Sequence, residues 1–335
     1  MQRRHFLQGT VAAAGLAAPA VRAQAKPVRV ALGWIYNVEY AGVWMGLENG
    51  YFKEEGLDVK TLPGGPNAPP PPVTVASGGA EIGYGNWLPY IDAINRGNDF
   101  VLLAGTFPVS PLGILSLPGK PILKAADIVG KKILAQGPNE RTAIDATLSL
   151  NNLPKNWEFV PAGFSPEPLL SKQGDGYTAF GTNQAVSLER MGMVRDKDFH
   201  FTSFDSMGYR YYASMLFTSR AYLTAERATV VKFLRALTKG WLENEKDPSV
   251  AAKLAVSKYG ADLGLDLRQQ TRQNELQIPM TKNPTKPDQK LLVFDRETVT
   301  GAMYAAAKAS GRDKIPEVDK LIDFSVMQEV HSTLK

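Results

Sequence analysis

The sequence predicts an α/β protein of two lobes joined by two chain crossings, and three observations carry that expectation. Short apolar strands alternate with amphipathic helices from residue 28 onward, and the same alternation restarts after Pro108-Val-Ser-Pro111. The tail beyond Tyr209 is rich in helices but too poor in strands to form a domain of its own, so it completes the first lobe. With 335 residues, 44% of them hydrophobic and 21% charged, the chain can bury about three quarters of its extended surface and is long enough for two domains.

After Lys26-Pro27, Val28 to Leu32 reads as a first strand. Gly33 to Glu39 is a loop. Tyr40 to Asn49 is a helix, because Tyr40, Val43, Trp44 and Leu47 fall at i, i+3, i+4 and i+7 with Gly50 as the stop; that stripe makes Trp44 a core residue. Leu57 to Leu62 is a second strand, so the opening is strand, loop, helix, strand, the start of a parallel sheet. The run 63–72, P-G-G-P-N-A-P-P-P-P, has too few amide hydrogens for a helix interior or a central strand. A helix starts behind it at Val73, with Pro72 near its first turn. Ile82 to Tyr84 is a strand, Leu88 to Asn95 a helix and Val101 to Gly105 a buried strand.

In the second stretch Ile114 to Leu117, Ile133 to Ala135, Phe159-Val160 and Tyr177 to Phe180 read as strands. Helices are expected over Lys124 to Val129, Glu140 to Leu150 and Pro166 to Leu170. Tyr209 to Phe217 is aromatic and extended, and helices follow over Thr224 to Glu245, 250–258, 265–278 and 321–333. The expected division is therefore an export signal over 1–25, lobe 1 from 26–111 with 209–335, and lobe 2 from 112–208. Crossings near 108–112 and 208–214 let two such lobes close over a cleft.

The signal rests on a basic head, Q-R-R-H-F-L-Q, an apolar run from Val11 to Ala18 too short to span a bilayer, and small residues suited to cleavage after Ala23 or Ala25. Arg3 and Arg4 before Phe6-Leu7 resemble a twin-arginine signal, with a Sec-type signal as the alternative. Cleavage after Ala25 takes Arg3, Arg4 and Arg22 and no acid from the 38 basic and 33 acidic residues, leaving 35 against 33. A nearly neutral chain without a basic stripe is no nucleic-acid binder. The absence of cysteine excludes disulfides, thiol catalysis and cysteine-held metals. Only His200 and His331 survive cleavage, and no H-E-x-x-H, G-x-S-x-G or P-loop occurs. No catalytic residue, metal or cofactor is expected.

Four runs together carry a family resemblance: Gly33-Trp34-Ile-Tyr36-Asn37; Glu48-Asn-Gly50-Tyr51-Phe52-Lys-Glu-Glu55-Gly56-Leu57-Asp-Val59; Val75-Ala-Ser77-Gly-Gly-Ala80-Glu81-Ile-Gly83; and Leu123-Lys-Ala-Ala-Asp127-Ile-Val-Gly130-Lys131-Lys132-Ile133. Over nearly the whole mature chain this resembles the periplasmic substrate-binding components of ABC importers in the nitrate/sulfonate/taurine group, notably the NMT1/THI5-like branch. The resemblance implies a type II-like periplasmic binding protein fold, a periplasmic location, and an inner-membrane ABC permease with its ATPase as partner to a monomeric receptor. Two departures stand out. The proline-rich loop 66–72 replaces a more ordinary polar or glycine loop, and Glu39 stands where pyrimidine synthases of this branch carry a histidine.

In such a lobe, ligands sit beyond the carboxyl ends of strands. The first candidate wall is Trp34, Tyr36, Asn37 and Glu39, whose rings and carboxylate suit a flat ring bearing a donor or a cationic amine, unless the rings only fill the core. Tyr84 and Asn86 follow a strand, Asn86 serving either a ligand or a helix cap. Gly137, Asn139 and Glu140 stand at a helix start whose amides can receive an anion or a carbonyl, with Asn139 as N-cap in the bland alternative. Asn183 ends a strand, while Tyr209 and Tyr211 flank the return crossing as ring partners or as packing. Glu275 is a weaker candidate. The aromatic density favours a planar nitrogen heterocycle such as a thiamine pyrimidine precursor; nitrate, taurine or an alkanesulfonate is the alternative, and a periplasmic enzyme on the same scaffold a further one.

Overall fold

The computed structural model describes residues 25–65 and 67–334; the expected export signal, except for Ala25, lies outside them, as does Pro66. Strands β1 (Lys26–Ala31), β2 (Leu57–Leu62), β3 (Ile82–Gly85) and β4 (Phe100–Phe107) come first in the chain. They are followed by β5 (Leu112–Ser116), β6 (Lys132–Ala135), β7 (Glu158–Pro161), β8 (Gly176–Phe180), β9 (His200–Ser203) and β10 (Ala213–Ser219). They form two five-stranded sheets, ordered β2-β1-β3-β10-β4 and β7-β6-β8-β5-β9.

The two sheets repeat one design. In each, four strands linked by helices run in one direction, and one strand arriving from the other half is inserted antiparallel: β10 between β3 and β4, β5 between β8 and β9. The chain leaves the first sheet between β4 and β5 and returns between β9 and β10, so two crossings tie two α/β lobes together. β9 and the helix Gln184–Arg190 have no counterpart among the sequence expectations. The stretch 209–217 is corrected as well: the strand begins only at Ala213, and the three tyrosines before it are buried.

Trp44 is fully buried, stacked on Tyr259 at 4.1 Å, and its indole N–H donates to the Asn37 carbonyl at 2.7 Å. Its helix, Ala41–Glu48, lies tightly against the long helix Arg220–Asn244, and glycines set the spacing. A Cβ at Gly240 would come within 2.0 Å of the Gly42 carbonyl oxygen and 2.9 Å of the Gly46 nitrogen. These are backbone atoms, which cannot swing aside. Gly240→Ala is accordingly expected to separate the helices and cost about 2 kcal/mol, read as a lower midpoint in urea unfolding at unchanged slope.

Candidate binding cleft

Between the sheets, at strand ends from both, lies a cavity of about 530 Å³, within the usual range for small-molecule sites. The first lobe contributes Trp34, Glu39, Tyr40, Tyr84 and Asn86, the second Gly137, Asn139, Glu140, Phe180 and Asn183. Pro69 to Pro72 form a further wall with no amide hydrogen to offer a ligand.

Glu39 sits in the short 3-10 turn Val38–Tyr40, which starts because the Asn37 side chain accepts from the Glu39 amide at 2.9 Å. Its carboxyl is buried, and Ser214 Oγ donates to Oε1 at 2.7 Å. Burial pushes the carboxyl up to about 7, and the Ser214 bond only partly opposes this. Ser214, near the start of β10, has φ 50°, the left-handed region that a β-carbon disfavours. In this conformation its hydroxyl reaches the Glu39 carboxyl. Tyr40 and Tyr84 meet edge to face at 5.3 Å beside the carboxyl, and burial raises both phenols well above their ordinary range.

Across the cleft, the helix Pro138–Leu150 begins at Gly137, with proline in its first turn. Asn139 is therefore not the N-cap; its side-chain amide donates instead to Glu140 Oε1 at 3.0 Å. Glu140 is buried, which raises its carboxyl, while Asn139 and the backbone amides of Glu140 and Gly137 pull it back down. The carboxyl at the helix start is thus held by the neighbouring Asn139 side chain. Among the described residues lining the cleft the acids are Glu39, Asp92 and Glu140, and the one cation is Arg96, exposed at a helix end.

Asn86 stands at the N-cap position of the helix Trp87–Asn95, yet its side chain makes no capping bond and lines the cavity. Asn183 lines it as well. Five expected candidates do not. The Tyr36 hydroxyl donates to the Thr61 carbonyl at 2.7 Å and its ring meets Trp44 edge-on, which turns it outward along β2. Asn37 is spent on the turn beneath Glu39. Tyr209 and Tyr211 stack on one another at 4.5 Å in the interior, so they are packing. Glu275 is exposed and paired with Arg272. Ser214 was not expected at the site; a serine at positive φ leaves no mark in sequence.

A family model described as NMT1/THI5 like matches residues 37–251. The chain belongs to this family. It is a periplasmic-type solute-binding component of an ABC importer. The formylaminopyrimidine-binding protein of Halalkalibacterium halodurans is 23% identical over 273 residues, covering 78% of this chain and 79% of that relative. A solved structure from Bordetella bronchiseptica RB50 superposes with a TM-score of 0.67 at 18% identity, covering 91% of this chain and 97% of that one. The alkanesulfonate-binding protein SsuA of Xanthomonas axonopodis pv. citri, bound to MOPS, gives 0.65 at 16%, covering 89% and 99%. At these identities the solved structures share the fold, two lobes of the type II periplasmic binding architecture.

Proposed function

We propose that this receptor captures a planar nitrogen heterocycle bearing N–H donors, of the thiamine pyrimidine precursor class, and delivers it to an inner-membrane permease driven by an ATPase. In this reading 26–111 with 209–335 act as one lobe and 112–208 as the other. The observation that carries the reading is the pair of buried carboxyls, Glu39 from the first lobe and Glu140 from the second, on one cavity walled by Trp34, Tyr84 and prolines. Carboxyls accept, so they match a ligand that donates at both ends, and a flat apolar ring fits between the rings and the prolines. A solute that touches both acids is bound fully only when the lobes are closed, which links recognition to delivery. The formylaminopyrimidine-binding relative agrees with this class.

A second reading, an alkanesulfonate or taurine, is favoured by the binding named for the SsuA structures of the same fold. Against it stand two buried lining acids, Glu39 and Glu140, while the third, Asp92, is already paired with Arg312 and the lining cation Arg96 is exposed. An anion entering the cleft would have to lie against both buried carboxyls.

Titration calorimetry of the mature protein decides between them. With 5-hydroxymethyl- and 5-formylaminomethyl-4-amino-2-methylpyrimidine as probes, at least one is expected to bind with a Kd of about 1 µM or tighter, and taurine and butanesulfonate not to bind. Tight sulfonate binding with no pyrimidine binding would overturn the proposal.

A further inference from the structure

The helix Leu267–Met280 belongs to the carboxyl-terminal tail, yet it buries a row of uncharged amides, Gln269, Gln270, Gln273, Asn274 and Gln277. At its start it reaches the opposite lobe. Gln269 Nε2 donates to Asn183 Oδ1 at 2.6 Å and reaches the Asn183 carbonyl at 3.4 Å. One turn away Arg190 pairs with Asp266 at 2.8 Å, and Asp266 also caps this helix by accepting from the Gln269 amide. The same helix grips the loop that carries Glu39. Gln270 Oε1 accepts from the Val38 N–H at 2.8 Å, and Gln277 Nε2 donates to the Val38 carbonyl at 2.6 Å. Gln270 Nε2 donates to Gln269 Oε1 at 2.5 Å, so a continuous line of amides runs from Asn183 in one lobe to the residue beside Glu39 in the other.

We propose that the helix Leu267–Met280 is a clasp that biases the lobes toward closure without any solute, with Gln269 as its positioning residue: through Asn183 it holds the second-lobe wall, and through Gln270 it is joined to the Glu39 loop. The bias is modest by construction. Opening returns Gln269 and Asn183 to water, so the net gain of the bond is that of an ordinary amide pair, roughly tenfold in the closed-to-open ratio. The Arg190–Asp266 pair, with both side chains about two-fifths exposed (41% and 38%), adds little. A clasp of this size keeps the cleft shaped while leaving solute to supply the remaining closure energy. Because solute enters the open form, a bias toward closure slows escape and also slows capture in proportion to the closed fraction it populates without solute.

The test needs no knowledge of the natural solute. Small-angle scattering of the full mature protein without ligand is compared for the parent, Gln269→Leu and Asn183→Ala, which remove the same bond from opposite lobes. Both variants are expected to show a larger radius of gyration than the parent. Stopped-flow with 5-hydroxymethyl-4-amino-2-methylpyrimidine is expected to give an off-rate about tenfold higher in Gln269→Leu, with an on-rate no slower than the parent's. A merely structural glutamine would lower the unfolding midpoint and leave both readings alone. Ligand-free scattering identical to the parent in both variants overturns the clasp, as does a slower on-rate with an unchanged off-rate. A probe that binds no form of the protein counts against the ligand class proposed above, and the scattering then decides the clasp by itself.

Discussion

Glu39→Gln is expected to weaken binding of a donor-bearing pyrimidine by at least about a hundredfold, the loss of a charge-assisted bond in a buried site. Glutamine keeps the shape and the acceptor oxygen that Ser214 reaches, but it replaces the second oxygen with an N–H that faces the ligand's own donor. The variant should fold at least as well as the parent, because the carboxyl is buried with one serine hydroxyl as its only described side-chain partner. Lost affinity with retained stability separates a ligand contact from a structural role. Calorimetry and urea unfolding on the same preparation measure both, and unchanged affinity would remove Glu39 from the site.

The sequence shows the scaffold more plainly than the site, and the residues say why. Strands such as Leu57–Leu62 and the stripe around Trp44 follow from apolar periodicity, which burial enforces residue by residue. Glu39, Asn86 and Glu140 could be placed at the cleft because strand ends and helix starts are where such folds expose polar groups. Tyr36 and Tyr211 were indistinguishable from Trp34 by composition. What separates them is a partner far along the chain, such as the Thr61 carbonyl that holds the Tyr36 hydroxyl. The amide helix was readable in part: Gln270, Gln273, Asn274 and Gln277 recur at helical spacing with no charge on that face. A polar stripe is read as solvated by default, and only the packing shows these amides buried and bonded to Val38, Asn244 and one another, with the Gln273 side-chain nitrogen unpartnered. Ser214 could not be found at all, since its role comes from a backbone angle.

The pH dependence of the ligand-free protein follows from the same carboxyl. An ordinary glutamate titrates near 4.5, whereas folding moves Glu39 to about 7. Because the folded value is the higher one, the protonated side chain is tolerated at no cost below pH 4.5, and stability is lost as pH rises from there to 7. The loss amounts to about 3 kcal/mol, flat above pH 7, and is absent in Glu39→Gln. Burial raises Glu140 in the same direction. Solute binding inherits the sign. An N–H donor on Glu39 favours the ionised carboxyl, so binding at pH 7 releases about half a proton, and affinity tightens by up to about tenfold per unit as pH rises toward 7. A sulfonate in the same cavity favours the protonated carboxyls, so it takes up protons and binds more weakly as pH rises. Calorimetry at pH 7 in buffers of different ionisation enthalpy reads that sign, with the titration of Glu39→Gln subtracted to remove the probe's own proton exchange. Proton release identifies a donor on the Glu39 carboxylate, and uptake would assign the cleft to an anion.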